Sequence, residues 1–292
     1  MKKVFKVALS CICLASVFAC SACGGGSSDP EGYSKTETLN GKTTEQTYEF
    51  IMEQIDGYKE NFTSTVNYDI VCDVKYAGQK MSFDIGMDTT VKMDGENFIE
   101  VDNVNGGEML GTMLMNVWYV DGVAYVDGSG SGNFAGMVAS KVKYTATIDQ
   151  ICEIAGLDKG DIFNPIYDFS DTSFEDVKFY VGENDSYFQL VLKGDDAANF
   201  AEKYAVMQNL DADITIPQIN YKFMLDKDGN FTYAKIDYEM VMELEISGST
   251  AEYTYTYDGV IRFSDIGTTV VAAPESGETF TDLTAYLPVT GA

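Results

Sequence analysis

The stretch Val66-Asn-Tyr-Asp-Ile-Val-Cys-Asp-Val-Lys-Tyr76 decides the fold. Its even positions are Val66, Tyr68, Ile70, Cys72, Val74 and Tyr76, all apolar or aromatic. Its odd positions, Asn67, Asp69, Val71, Asp73 and Lys75, are polar but for one. A period of two marks a strand with one dry and one wet face. Ala77-Gly78-Gln79 turns the chain, and the return strand sets Met81, Phe83, Ile85, Met87, Val91 and Met93 against Ser82, Asp84, Asp88 and Lys92. Asp94-Gly95 turns it again into Phe98–Val104, and Gly106-Gly107 is a break. Next, Val117-Trp-Tyr-Val120 and Val123-Ala-Tyr-Val126 flank Asp121-Gly122, a pair that suits a type I′ hairpin turn. Gly128–Gly132 reads as a mobile loop.

The second half repeats the pattern. Phe174–Val181 and Tyr187–Leu192 pair around Gly182–Ser186. Pro217 marks an edge strand or a strand start. Ile219, Tyr221, Phe223 and Leu225 alternate up to Asp226-Lys-Asp-Gly-Asn230. Ala234, Ile236, Tyr238, Met240, Met242, Leu244 and Ile246 then alternate against Lys235, Asp237, Glu239, Glu243 and Glu245. Tyr253, Tyr255 and Tyr257 follow the turn at Ser247–Ser249. Three stretches are helical instead. Thr43 and Gln46 form a capping box ahead of the stripe Tyr48, Ile51, Met52, Ile55. Ile148, Ile151, Cys152 and Ala155 share one face of a short helix. Asp195 or Asp196 caps a third helix to about Leu210, with Ala197, Phe200, Ala201, Tyr204 and Met207 inward. Strands this long and dry on one side imply one large curved antiparallel sheet, and the helices are the natural filling of its concave side. The fold class expected is α+β.

The N-terminus carries an address. Met1–Lys6 is basic, and Val7–Phe18 is apolar, uncharged and too short to span a bilayer comfortably, as in a secretory signal. Ala19-Cys-Ser-Ala-Cys23 before Gly24–Ser28 resembles a bacterial lipobox, with Cys20 where Leu is usual. The resemblance makes Cys23 the lipidated residue, with Cys20 as the rival, and residues 1–22 a signal peptide. Two or more acyl chains anchor stably where one is marginal. Residues 23–43 then read as a tether, 44–272 as the folded domain and 273–292 as a looser tail.

Composition closes off several functions. Without Lys2, Lys3 and Lys6, 46 acids face 16 bases, a net charge of −30. Such a chain repels nucleic acid and anionic headgroups. It has no histidine, which removes the usual general base and the commonest metal ligand. Past Cys23 only Cys72 and Cys152 remain, either as a disulfide or as two buried thiols. Asp226–Asn230 fails as a calcium loop: with Gly229 in the sixth place, the twelfth is Lys235 where a Glu is required. It reads as a hairpin turn. Other acid pairs, such as Asp195/Asp196, fall at helix starts, where carboxylates serve local hydrogen bonding. Leu287-Pro-Val-Thr-Gly291 matches the Leu-Pro-x-Thr-Gly sorting pattern, which works only with a hydrophobic segment and basic residues behind it; Ala292 alone follows.

The lipobox and tether, the single amphipathic helix, the Met-punctuated strands, Trp118–Val126 and Leu225–Phe231 together resemble Gram-positive lipoproteins of the lipoprotein-carrier-like (LolA/LppX-type) superfamily. That resemblance covers roughly residues 44–272. It implies an incomplete β-barrel with helices in its concavity that binds or transfers a lipid or a lipoprotein acyl chain. The candidate lining is Met81, Phe83, Ile85, Met87, Met240, Met242, Tyr253 and Tyr255. The competing reading of these side chains is plain core packing, in an envelope interaction module with a filled centre. The expectations are a monomer anchored by an N-terminal diacylglycerol to the outer face of the cell membrane, with no nucleic-acid partner, no catalytic residues, no metal and no cofactor.

Overall fold

The computed structural model describes residues 32–58, 60–155, 177–208, 213–246, 249–275 and 278–287. The signal segment, Cys23 and the sorting motif beyond Leu287 lie outside them. In chain order the elements are β1 (Ser34–Thr36), α1 (Thr44–Tyr58), β2 (Asn61–Tyr76), β3 (Gln79–Asp94), β4 (Asn97–Asn105), α2 (Gly107–Leu110), β5 (Thr112–Val120) and β6 (Val123–Gly130). Then come β7 (Val142–Thr145), α3 (Ile148–Ala155), β8 (Val177–Val181), β9 (Asp185–Lys193), α4 (Asp195–Gln208) and β10 (Asp213–Thr215). The chain finishes with β11 (Gln218–Asp226), β12 (Phe231–Ile246), β13 (Ser249–Ser264) and β14 (Thr281–Asp282).

Among the described residues all the strands belong to one 14-stranded sheet, ordered β1-β8-β9-β11-β12-β13-β2-β3-β4-β5-β6-β7-β14, with β10 beside β12. Its first and last strands do not pair, so the sheet is open: a curved, incomplete barrel, antiparallel except where β14 joins β7. Helices α1, α3 and α4 lie on its inner side. Tyr48, Ile51 and Ile55 of α1 and Phe200 and Ala201 of α4 share a buried cluster with Phe188, Ile219, Phe223, Ile236 and Ile261 of the sheet. Ile148, Ile151 and Cys152 of α3 share a second cluster with Phe98, Met115, Val117 and Val126. Tyr58, Met87 and Phe263 touch both clusters and join the two halves.

The local signals explain the elements. The capping box of α1 is made: Thr43 N donates to Gln46 Oε1 at 3.0 Å, and Gln46 N donates to Thr43 Oγ1 at 3.4 Å. An equivalent box starts α3, where Thr147 N donates to Gln150 Oε1 at 2.9 Å and Gln150 N to Thr147 Oγ1 at 3.2 Å. Asp121 and Gly122 both have positive φ, 51° and 78°, as a type I′ turn requires. Pro217 proves to be a strand start, because β11 lies between β9 and β12 rather than at an edge.

Some expectations need correction. Asp195 does not cap α4 but opens it; Gly194, at φ 55°, takes the cap position and accepts the first helical bond from Ala198 N. Gly128–Gly132 is not a free loop. Gly128 and Gly130 are paired to Met115 and Met113 within β6. Glycine is needed there for close approach: a Cβ at Gly130 would sit 2.3 Å from the Phe134 carbonyl oxygen. Within the stretch read as tether, Ser34–Thr36 forms β1 against β8. Tyr33 OH donates to Asp185 Oδ1 at 2.8 Å there, and burial, with that bond, pushes its phenol up to about 12. Within the stretch read as a loose tail, β14 pairs with β7, and the Phe280 ring stands edge-on to Tyr125, 5.2 Å between centroids.

Candidate functional site

The eight candidate lining residues stand on one face of β3, β12 and β13, with β2 between β13 and β3. The register sets Met242 opposite Tyr253, Tyr253 opposite Val74 and Val74 opposite Met81. One row in, Met240, Tyr255, Cys72 and Phe83 line up across β12, β13, β2 and β3. Ile85 pairs with Ile70, and Met87 with Tyr68. Directly opposed residues point to the same side of a sheet, so period two within each strand becomes a continuous apolar wall across four.

The wall is unevenly covered. Met240 and Met242 are core, 1 % and 7 % exposed. Tyr253, Tyr255, Phe83, Ile85 and Met87 are half-buried, and Met81 is 50 % exposed. Cover along the inner face of β3 therefore increases from Met81 at the rim to Thr89, 1 % exposed. On β13 the rings of Tyr253 and Tyr255 stack at 6.3 Å between centroids, and Tyr257 lies face to face with Tyr238 at 4.5 Å. Thioethers beside aromatic rings make a pliable apolar surface.

Cys72 lies at the centre of this wall and is fully buried. Burial pushes its thiol up to about 11, against a hydrogen bond with Tyr255 that lowers it, so it is held as an inert thiol. Cys72 and Cys152 are two buried thiols and form no disulfide.

The turn at Asp226–Asn230 spends its acceptors internally. Asp226 Oδ1 accepts from the N–H groups of Asp228 and Asn230, both at 2.8 Å, and Oδ2 accepts from Asn230 Nδ2 at 3.0 Å. Among the described residues no group of three His, Cys, Asp or Glu side chains is placed to hold a metal.

The sequence reading missed one feature of the inner face. Glu100 and Asp102 are each 1 % exposed and share the buried face of β4 with Phe98 and Val104. Thr89 Oγ1 donates to Asp102 Oδ1 at 2.6 Å, while Asp102 Oδ2 and Glu100 Oε1 are buried with no hydrogen-bond partner. Burial pushes the Asp102 carboxyl up to about 7, with the Thr89 bond opposing. Burial, and then the charge of Asp102, raises Glu100 well above the ordinary range. The available signal was parity: Glu100 and Asp102 are even-numbered, like Phe98 and Val104.

The arrangement defines a class, an open half-barrel with an apolar inner wall. No family model matches the chain, and no curated protein matches it. Among solved structures it is similar to a DUF1329 family protein from Desulfovibrio piger, with 11 % identity, 77 % of this chain and 96 % of that one covered, and a TM-score of 0.23. It is also similar to the YwiB protein from Bacillus subtilis, at 10 % identity over 70 % of this chain and 97 % of that one, TM-score 0.17. A LolA superfamily protein, NE2245 from Nitrosomonas europaea, matches at 12 % identity over 72 % and 92 %, TM-score 0.14. At these TM-scores the functional reading rests on the geometry of this chain.

Proposed function

We propose that this protein is a lipid-anchored extracytoplasmic lipoprotein that binds or hands over a hydrophobic ligand on the concave face of its sheet, without catalysis. One observation carries the reading: Met81, Phe83, Ile85, Met87, Tyr253 and Tyr255 form a contiguous apolar wall on the inner side that the protein's own helices leave partly uncovered. An inner wall meant only as core would be sealed, as Phe223 and Ile236 are elsewhere. The apolar chain of a lipid or acyl group is the matching occupant, at roughly 25 cal/mol for each Å² it removes from water.

Mass spectrometry of an organic extract of the purified full chain tests this, together with titration of a fluorescent fatty-chain probe. A co-purifying lipid, or saturable probe binding that the lipid displaces, is expected. An empty extract and no saturable binding would leave the rival reading, an envelope interaction module with a filled core. The anchor has its own test. Cys23→Ala should move the protein from the membrane fraction to the soluble one, and a variant that stays with the membrane refutes the anchoring site.

A further inference from the structure

We propose that Glu100 and Asp102 are the polar end of the hollow and receive the ammonium head of an amphiphile whose chain lies along Met81–Met87. The inference rests on the hydrophobic-ligand reading above and names the class of its ligand.

Four observations carry it. First, the two carboxyls are continuous with the apolar wall. Thr89, across from Asp102, follows Met87 on the same face of β3, and Met87 stands across from Val104. At about 3.3 Å per residue, Met81 at the rim lies roughly 26 Å from Thr89, so an extended chain headed at the carboxyls runs along the wall toward the rim. Second, the carboxyls lack partners. Glu100 Oε1 and Asp102 Oδ2 are buried and accept nothing. Orphan acceptors at such a depth are rare, because a polar group taken out of water without a partner destabilises the fold.

Third, the cover beside them is incomplete. Val91, directly across from Glu100, is itself only half-buried on that face. Fourth, the missing partner is a cation. The residues opposite the pair are Thr89 and Val91 on β3 and Met115 and Val117 on β5, none of them charged. From α3 the same cluster receives Ile148, Ile151 and the thiol of Cys152, while Asp149 and Glu153 of that helix are exposed. Neither carboxyl has an ion-pair partner among the described residues. An ammonium supplies charge-assisted donors to both orphan oxygens. A chain this acidic also draws cationic amphiphiles and repels fatty acids.

The experiment compares dodecylamine, dodecanol and dodecanoate, below their micellar concentrations, by calorimetric titration of the full chain at neutral pH and 0.3 M salt. The wild type should bind the amine at least tenfold more tightly than the alcohol, and the carboxylate worst. The Glu100→Gln/Asp102→Asn double variant should lose the amine preference and bind amine and alcohol about equally. Repeating the wild-type titration in two buffers of different ionisation heat should show proton release with the amine and none with the alcohol, which needs no variant to fold. Equal affinity for amine and alcohol in the wild type overturns the inference and leaves the hydrophobic-ligand reading standing. So does an amine preference that survives in the double variant, which would mark general attraction to an acidic surface. Failure of all three ligands to bind overturns both.

Discussion

At the scale of single residues, the buried carboxyls set the pH response. Asp102 and Glu100 hold their protons more tightly in the fold than in the unfolded chain. The folded state therefore binds more protons between the ordinary carboxylate range and about 7, where Asp102 titrates. This contribution is fully present below pH 4 or so and is lost as pH rises through about 7. Urea melts should accordingly give lower stability at pH 8 than at pH 5. Asp102→Asn should flatten that difference and stabilise the fold at pH 8 by on the order of 2 kcal/mol. An identical pH slope in the variant would show that repulsion among surface acids, not this pair, governs it. The pair was half legible. Parity put Glu100 and Asp102 with Phe98 and Val104, but Ile99 and Val101 make the other face of the strand equally apolar. Which face was inside depended on strands far away in the chain.

At the scale of elements, turns and caps obeyed local chemistry and were readable. Asp121-Gly122 forms its hairpin because both residues take positive φ, and Asn97 Oδ1 accepts from Asp121 N at 2.9 Å. A Cβ at Gly122 meets nothing within 4 Å, so Gly122→Ala costs only backbone strain, about 1 kcal/mol in a denaturant melt. Gly130→Ala differs in kind. Its φ is ordinary, yet its Cβ would run into the backbone at Phe134, and a loss of about 1–3 kcal/mol is expected. If the two substitutions cost the same, the close packing of residues 131–139 on β6 is wrong. A glycine kept for φ announces itself beside Asp or Asn in a turn. A glycine kept for close approach does not, which is why Gly128 and Gly130 read as loop.

At the scale of the molecule, the two faces of the sheet should behave differently. Phe83 stands on the inner wall, and Val71, 41 % exposed, on the outer face of the neighbouring strand. Phe83→Glu puts a charge where the chain of a ligand would lie and should weaken fatty-chain probe binding by about tenfold or more. Val71→Glu should leave it unchanged. Equal effects from both would remove the inner wall as the site. The eight residues of that wall were foreseeable because a strand's side chains alternate whatever its partners are. Period two is a property of the backbone, so the order of residues alone set which of them share a dry face, where the chain turns and how its helices begin. It could not determine how fully that face would be covered. Nor could it place Met240 in the core and Met81 at the rim, or bring two carboxyls to the inner end of the wall. Cover and depth depend on the register of four strands drawn from both ends of the chain and on where three helices come to rest across them. Only tertiary packing, in which distant segments compete for the same apolar surface, decides that.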